Sequence, residues 1–128
     1  MQYAILCYHA EEVVGAWTKE EDEAVMDRLA VVQTRLAQAG KLGPVARLMP
    51  TTTATTLRKH QEPPLVIDGP FAETKEQLLG FYIVDCDSLD EAIRISRDLA
   101  AANPGGAYEI RPVALLRPDP REPHNPDA

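Results

Sequence analysis

Cysteine is scarce in this chain of 128 residues, and its two examples, Cys7 and Cys86, each sit inside an apolar run. A small buried thiol is commoner in such surroundings than a bridge or a ligand, so both are expected to be reduced. Histidine is equally thin. His9, His60 and His124 show no metal-ligand spacing with one another or with the cysteines, so no metal site is expected. The only serines are Ser88 and Ser96, and no glycine-rich phosphate loop or dinucleotide fingerprint occurs. Hydrolase and nucleotide-binding readings lose support, and no cofactor is expected.

Long apolar runs are missing too. Nothing approaches the roughly 20 residues that span a bilayer, and the first apolar stretch, residues 3–8, lacks the basic flank and cleavage site of a secretion signal. The expectation is a cytoplasmic protein with no membrane partner. Thirteen Lys and Arg against 20 Asp and Glu leave a net charge of -7. Phosphate backbones are bound by clustered cations that this chain lacks, so nucleic acid is not an expected partner.

What remains is an ordinary globular composition, 45% hydrophobic and 26% charged, on a length that suits one domain with its own core. Residues 1–116 are read as that domain. Residues 117–128, with Pro118, Pro120, Pro123 and Pro126 among mixed charges, are read as a tail without regular structure.

Residues 2–8 are apolar on both alternating faces and read as a strand buried on both sides. Thr18 and Glu21 have the spacing of a capping box, and Val25, Leu29, Val32 and Leu36 follow at helical intervals until Gly40. A second extended segment runs from Gly43 to Met49. Thr53 to Lys59 reads as an exposed strand, with Leu65, Val66 and Ile67 as its hairpin partner. Residues 78–86 carry the strongest strand pattern. Ser88 and Glu91 again have capping-box spacing and open a helix that stops before the Asn103-Pro104-Gly105-Gly106 turn, after which a last strand runs from Ala107 to about Leu116.

This order, β-α-β, a hairpin, then β-α-β, is that of a ferredoxin-like α+β fold with an inserted hairpin. Right-handed crossovers put both helices on one face of the sheet. The other face is apolar as well, and a second copy is its simplest cover, so a homodimer is expected. The topology is expected to make the first strand and the 78–86 strand parallel neighbours. On that reading Arg111 comes to Glu73, Lys75 and Glu76, while His9 lies at the far end of a strand about 26 Å long.

Chemistry is sought where turn formers and charges crowd against a core strand, at Asp68-Gly69-Pro70-Phe71-Ala72-Glu73-Thr74-Lys75-Glu76-Gln77. Gly69 permits positive φ, Pro70 fixes φ, and the Asp68 carboxylate can accept turn amides. Charges held beside apolar surface gain altered pKa values and a role in proton transfer.

The run Asp68-Gly69-Pro70-Phe71, with Glu73, Lys75-Glu76 and Gly80-Phe81, resembles the signature of the DGPF branch of the YCII-related family. Ala54-Thr55-Thr56-Leu57-Arg58 and Glu109-Ile110-Arg111-Pro112-Val113 are similar to that branch too. The resemblance implies a dimeric α+β barrel related in fold to small isomerases, lyases and cofactor-free monooxygenases. It also implies an association of some members with extracytoplasmic-function sigma factors. The YCII branch proper is proposed to use a His-Asp pair with the histidine on the first helix. The corresponding stretch near Leu29 holds no histidine, and Leu79 stands where the branch usually has a first glycine.

Two functional classes fit these residues. One is a small-molecule enzyme with Asp68, Glu73 or Lys75 as acid or base and Arg58 or Arg111 holding an anionic group, beside Gly69, Pro70, Phe71 and Glu76 as ligand contacts. The other is a non-catalytic module that works with a partner protein such as a sigma factor. The bland readings stand beside them: a structural turn for residues 68–71, a solvated charge run for Glu73, Lys75 and Glu76, and polar surface for Arg58, Arg111 and His9. An apolar cavity around the carboxylates would favour the enzyme; an exposed polar site would favour the module.

Overall fold

The structure, a computed structural model, describes residues 1–117. The expected tail from Pro118 onward lies outside the described residues. In chain order the elements are β1 (Gln2–His9), α1 (Glu11–Gly15), α2 (Lys19–Gln38), β2 (Leu42–Arg47), β3 (Thr55–Arg58), β4 (Leu65–Asp68), β5 (Gln77–Asp85), α3 (Leu89–Ala102) and β6 (Ala107–Pro112).

Four strands form one sheet in the order β2-β5-β1-β6, while β3 and β4 pair apart as a two-stranded hairpin. The α+β ferredoxin-like architecture is therefore as expected. The parallel pairing of β1 and β5 is not. Each helical crossover joins parallel strands with one strand between them, β1 to β2 across β5 and β5 to β6 across β1; the two units interleave, and every hydrogen-bonded neighbour runs antiparallel. That reversal moves residues between ends of the sheet. His9 faces Gln77 at the start of β5, and Arg111 faces Ala4 toward the other end. Cys7 is opposite Gly80, whereas the Cys86 amide donates to the Met1 carbonyl at 2.9 Å, so the cysteines are at opposite ends and both are free thiols.

Thr18 and Glu21 form both halves of the capping box that opens α2, with Glu21 N–H donating to Thr18 Oγ1 at 3.1 Å and Thr18 N–H to Glu21 Oε1 at 3.2 Å. Ser88 caps α3 through the Glu91 amide, but its box is only half made. The Glu91 carboxylate instead accepts from Asp87 N–H at 3.3 Å and pairs with Lys41 Nζ. The short α1 was not anticipated, because Glu11-Glu12-Val13-Val14 is too brief for a helical apolar period.

Period-2 alternation sends Tyr3 and Ile5 of β1 and Tyr82 and Val84 of β5 toward the helices. There they bury against Val25, Leu29 and Val32 of α2 and Ile95 and Leu99 of α3. Each fully buried aliphatic contributes roughly 1.5–3 kcal/mol relative to exposure. The opposite face carries Leu6 paired with Phe81 and Ala4 paired with Ile83, outside that core. Leu57, Leu65, Val66 and Ile67 on the hairpin are exposed.

Candidate functional site

At the end of the sheet where β1 runs out, residues of the sheet and of α2 enclose a cavity of about 200 Å³. Pairing is irregular there. Cys7 is opposite Gly80 and Tyr8 opposite Leu78, so Leu79 is an extra residue, and a bulge of this kind splays the strands and re-aims side chains. Gly80 then has to be glycine for local reasons, since a β-carbon would lie 2.3 Å from the Ala46 carbonyl oxygen of β2.

The floor of the cavity is Cys7, Gly80, Tyr82 and Tyr108, presented by β1, β5 and β6. Its roof is Trp17 with Met26, Leu29 and Gln33 of α2. His9, Asn103 and Gly105 close one side, and Arg47 stands on the wall from β2. An adjoining hollow of about 670 Å³ shares Val14, Arg47 and Leu79 with the first and continues along Glu11, Leu48 and Met49.

Burial sets the charge state of this wall. It pushes the Cys7 thiol up to about 12 and the Tyr108 hydroxyl up to about 12, the latter against a lowering hydrogen bond from Asn103. Tyr82 is raised as well, first by burial and then by the neighbouring Cys7, against a lowering hydrogen bond from Gln33. All three are neutral at pH 7. Arg47 is the one Lys or Arg on the wall, and its guanidinium grips Asp22 of α2 in a forked pair at 2.8 and 3.2 Å, which holds the Asp22 carboxyl below its usual range.

His9 is held in a defined tautomer. Its Nδ1 accepts the Ala10 N–H at 2.7 Å, so the neutral ring carries its proton on Nε2. Trp17 meets the ring edge-on, with centroids 6.3 Å apart at 87°. Asn103 Nδ2 donates to the Tyr108 hydroxyl at 3.3 Å, while Asn103 Oδ1 is buried with no partner among the described residues. A buried acceptor left unmatched costs roughly 1–3 kcal/mol.

The residues singled out in the sequence lie elsewhere. Gly69 does adopt positive φ, 109°, but its amide goes to the Ala54 carbonyl at 2.8 Å and its carbonyl accepts from Thr56 Oγ1 at 2.7 Å, with no hydrogen bond to the Asp68 carboxylate. Asp68, Glu73, Lys75 and Glu76 are exposed, Pro70 is half-buried, and none of the four charges forms an ion pair among the described residues. Phe71 is 73% exposed and carries the Arg58 guanidinium 5.3 Å from its ring centroid, so those two do come together. The chain bends at residues 71–72 and 75–76. Arg111 is not brought to this segment, because β6 is antiparallel to β1 and sets it opposite Ala4. None of these residues lines the 200 Å³ cavity.

Trp17, Tyr82, Asn103 and Tyr108 were missed. The signals were a lone tryptophan just ahead of a helix cap, and an Asn-Pro-Gly-Gly turn read only as a helix stop. His9 was set aside because the reversed strand placed it at the wrong end.

Among known proteins, the model of the YCII-related domain matches residues 1–117. An uncharacterized protein of Rhizobium meliloti (strain 1021) is 62% identical over 119 residues, covering 92% of this chain and 96% of the relative. The match runs through the sheet, both long helices and the turn at Asp68 alike, and the chain belongs to the YCII-related family.

Proposed function

We propose that this protein binds a small organic molecule in the cavity between α2 and the sheet, and that it does so as a homodimer joined through the open sheet face. The observation that supports the reading is the cavity itself: concave, largely apolar, walled by Trp17, Tyr82 and Tyr108, with a few neutral polar groups converging on it. If the bound molecule turns over, the chemistry is of acid–base type, the reaction class of an isomerase, a lyase or a cofactor-free oxygenase. His9 Nε2, which has no hydrogen-bond partner among the described residues, then moves the proton. Asp68, Glu73 and Lys75 are the competing acid–base set.

A thermal-shift screen against a metabolite library, followed by variants of both regions, separates the two. Tyr108→Phe is expected to weaken any stabilising compound, and Glu73→Ala and Lys75→Ala to leave its binding unchanged. The inverse pattern moves the site to the turn.

A second reading is favoured by exposure. Phe71 at 73% accessibility, flanked by the exposed charges of Asp68, Glu73 and Lys75, has the form of a protein-docking surface, with an extracytoplasmic-function sigma factor as the partner class. Co-elution of such a factor with the wild type and not with Phe71→Ser supports that role; equal elution with both removes it.

A further inference from the structure

The cavity's polar groups are specific enough to name a ligand class, resting on the reading that the cavity is the binding site. Among the described residues no carboxylate lines it, so a buried cation finds no countercharge there. Arg47, the one Lys or Arg among the described lining residues, already has both terminal nitrogens on Asp22, so it is a shared and not a free partner for an anion. Size narrows the choice further. A dry cavity of about 150 Å³ holds one benzene ring, so about 200 Å³ suits a single ring with small substituents.

Two hydrogen-bonding valences are left over at one spot. The Tyr108 hydroxyl accepts from Asn103 Nδ2 at 3.3 Å, and its own proton has no acceptor among the described residues. Asn103 Oδ1, on the same amide, is buried and has no donor. A ligand hydroxyl can serve both, accepting from Tyr108 and donating to Asn103. We propose that the cavity recognises an uncharged, one-ring hydroxylated aromatic molecule, a phenol, with its ring against Trp17 and Tyr82 and its hydroxyl bridging Tyr108 and Asn103. Asn103 Oδ1 is buried, so a ligand reaches it only as the Asn103 side chain turns, which moves its amide resonances.

Trp17 is the only tryptophan of the chain, which makes its emission a local reporter. The experiment titrates the full chain with phenol, toluene and benzoate, reading Trp17 emission and the Asn103 side-chain amide signals. Phenol is expected to bind about tenfold more tightly than toluene, the size of one hydrogen-bonding difference, and benzoate more weakly than either. Tyr108→Phe should bring phenol and toluene together, and Asn103→Leu, which keeps the hydroxyl, is the second variant should the first fail to fold. Benzoate binding as tightly as phenol overturns the neutral-ligand assignment. Toluene binding equal to phenol in the wild type, or a phenol preference that survives both variants, overturns the anchor while leaving the cavity as a site. Silence of Trp17 toward all three probes overturns the cavity reading along with it.

Discussion

The imidazole of His9 occupies the space a side chain would need at Gly105: a β-carbon there would lie 2.6 Å from His9 Nε2. Gly105 also has φ of 84°, a conformation that costs other residues roughly 1–2 kcal/mol. Two penalties of different origin therefore meet at one position. Gly105→Ala should cost more than the backbone term alone in the wild type and only about that term, about 1–2 kcal/mol, in a His9→Ala background. Urea unfolding of the four proteins in the cycle measures it. Equal costs in both backgrounds would show that the ring yields freely and is not held by the turn.

Gly80 and Gly15 make an opposed pair. A β-carbon at Gly80 would strike the Ala46 carbonyl of the neighbouring strand, whereas at Gly15, the last residue of α1, nothing lies within 4 Å and φ is not positive. Gly80→Ala should destabilise by about 1–3 kcal/mol through forced separation of β2 from β5. Gly15→Ala should stabilise by about 0.4–1 kcal/mol by restricting the unfolded chain. Thermal melts of the two variants test the opposite signs.

Neither thiol should react quickly in the folded protein. Burial raises both, Cys7 to about 12, so the thiolate that attacks disulfide reagents is almost absent at pH 8. Addition of a chromogenic disulfide should modify both cysteines promptly only after denaturation. Rapid labelling of native Cys7 would mean that the cavity opens more than its walls indicate.

Asp22 links stability to acidity. Its folded carboxyl is held below the unfolded value, first by the Arg47 hydrogen bond and with a smaller Coulombic share from the same guanidinium. A depressed carboxylate stabilises the fold above its unfolded pKa, near 4, and the contribution disappears as pH falls through the folded value. Because the pair is partly exposed, the effect should be under about 1 kcal/mol. The stability difference between wild type and Asp22→Asn should hold steady from pH 8 to 5 and shrink below about pH 4. A difference that grows on acidification contradicts the assignment.

The dimer is tested on the face away from the helices. Tyr82 and Val84 bury against the core cluster, so a charge there would damage the monomer; Phe81, half-buried opposite Leu6, is the residue to change. Phe81→Asp should convert a dimer to a folded monomer by burying an unpaired charge in the interface. Light scattering on the wild type reads the premise directly, and a stable monomer there removes it.

Local chemistry by itself determined a good deal of this protein. Thr18 and Glu21 announce the start of α2, Val25, Leu29 and Val32 its buried stripe, alternation in residues 78–86 a core strand, and Gly69 its positive φ, because caps, periods and turns depend on neighbours within a few positions. The half-made box at Ser88 shows the limit: Glu91 has the right spacing, yet Lys41, 50 residues away in the chain, engages its carboxylate. The cavity lay wholly beyond that limit. His9, Trp17, Tyr82, Asn103 and Tyr108 come from five separate segments, and only the antiparallel interleaving of two crossovers brings them to one end of the sheet while taking Arg111 toward the other. Strand direction is decided by how helices pack across a whole sheet, and no local spacing carries that information.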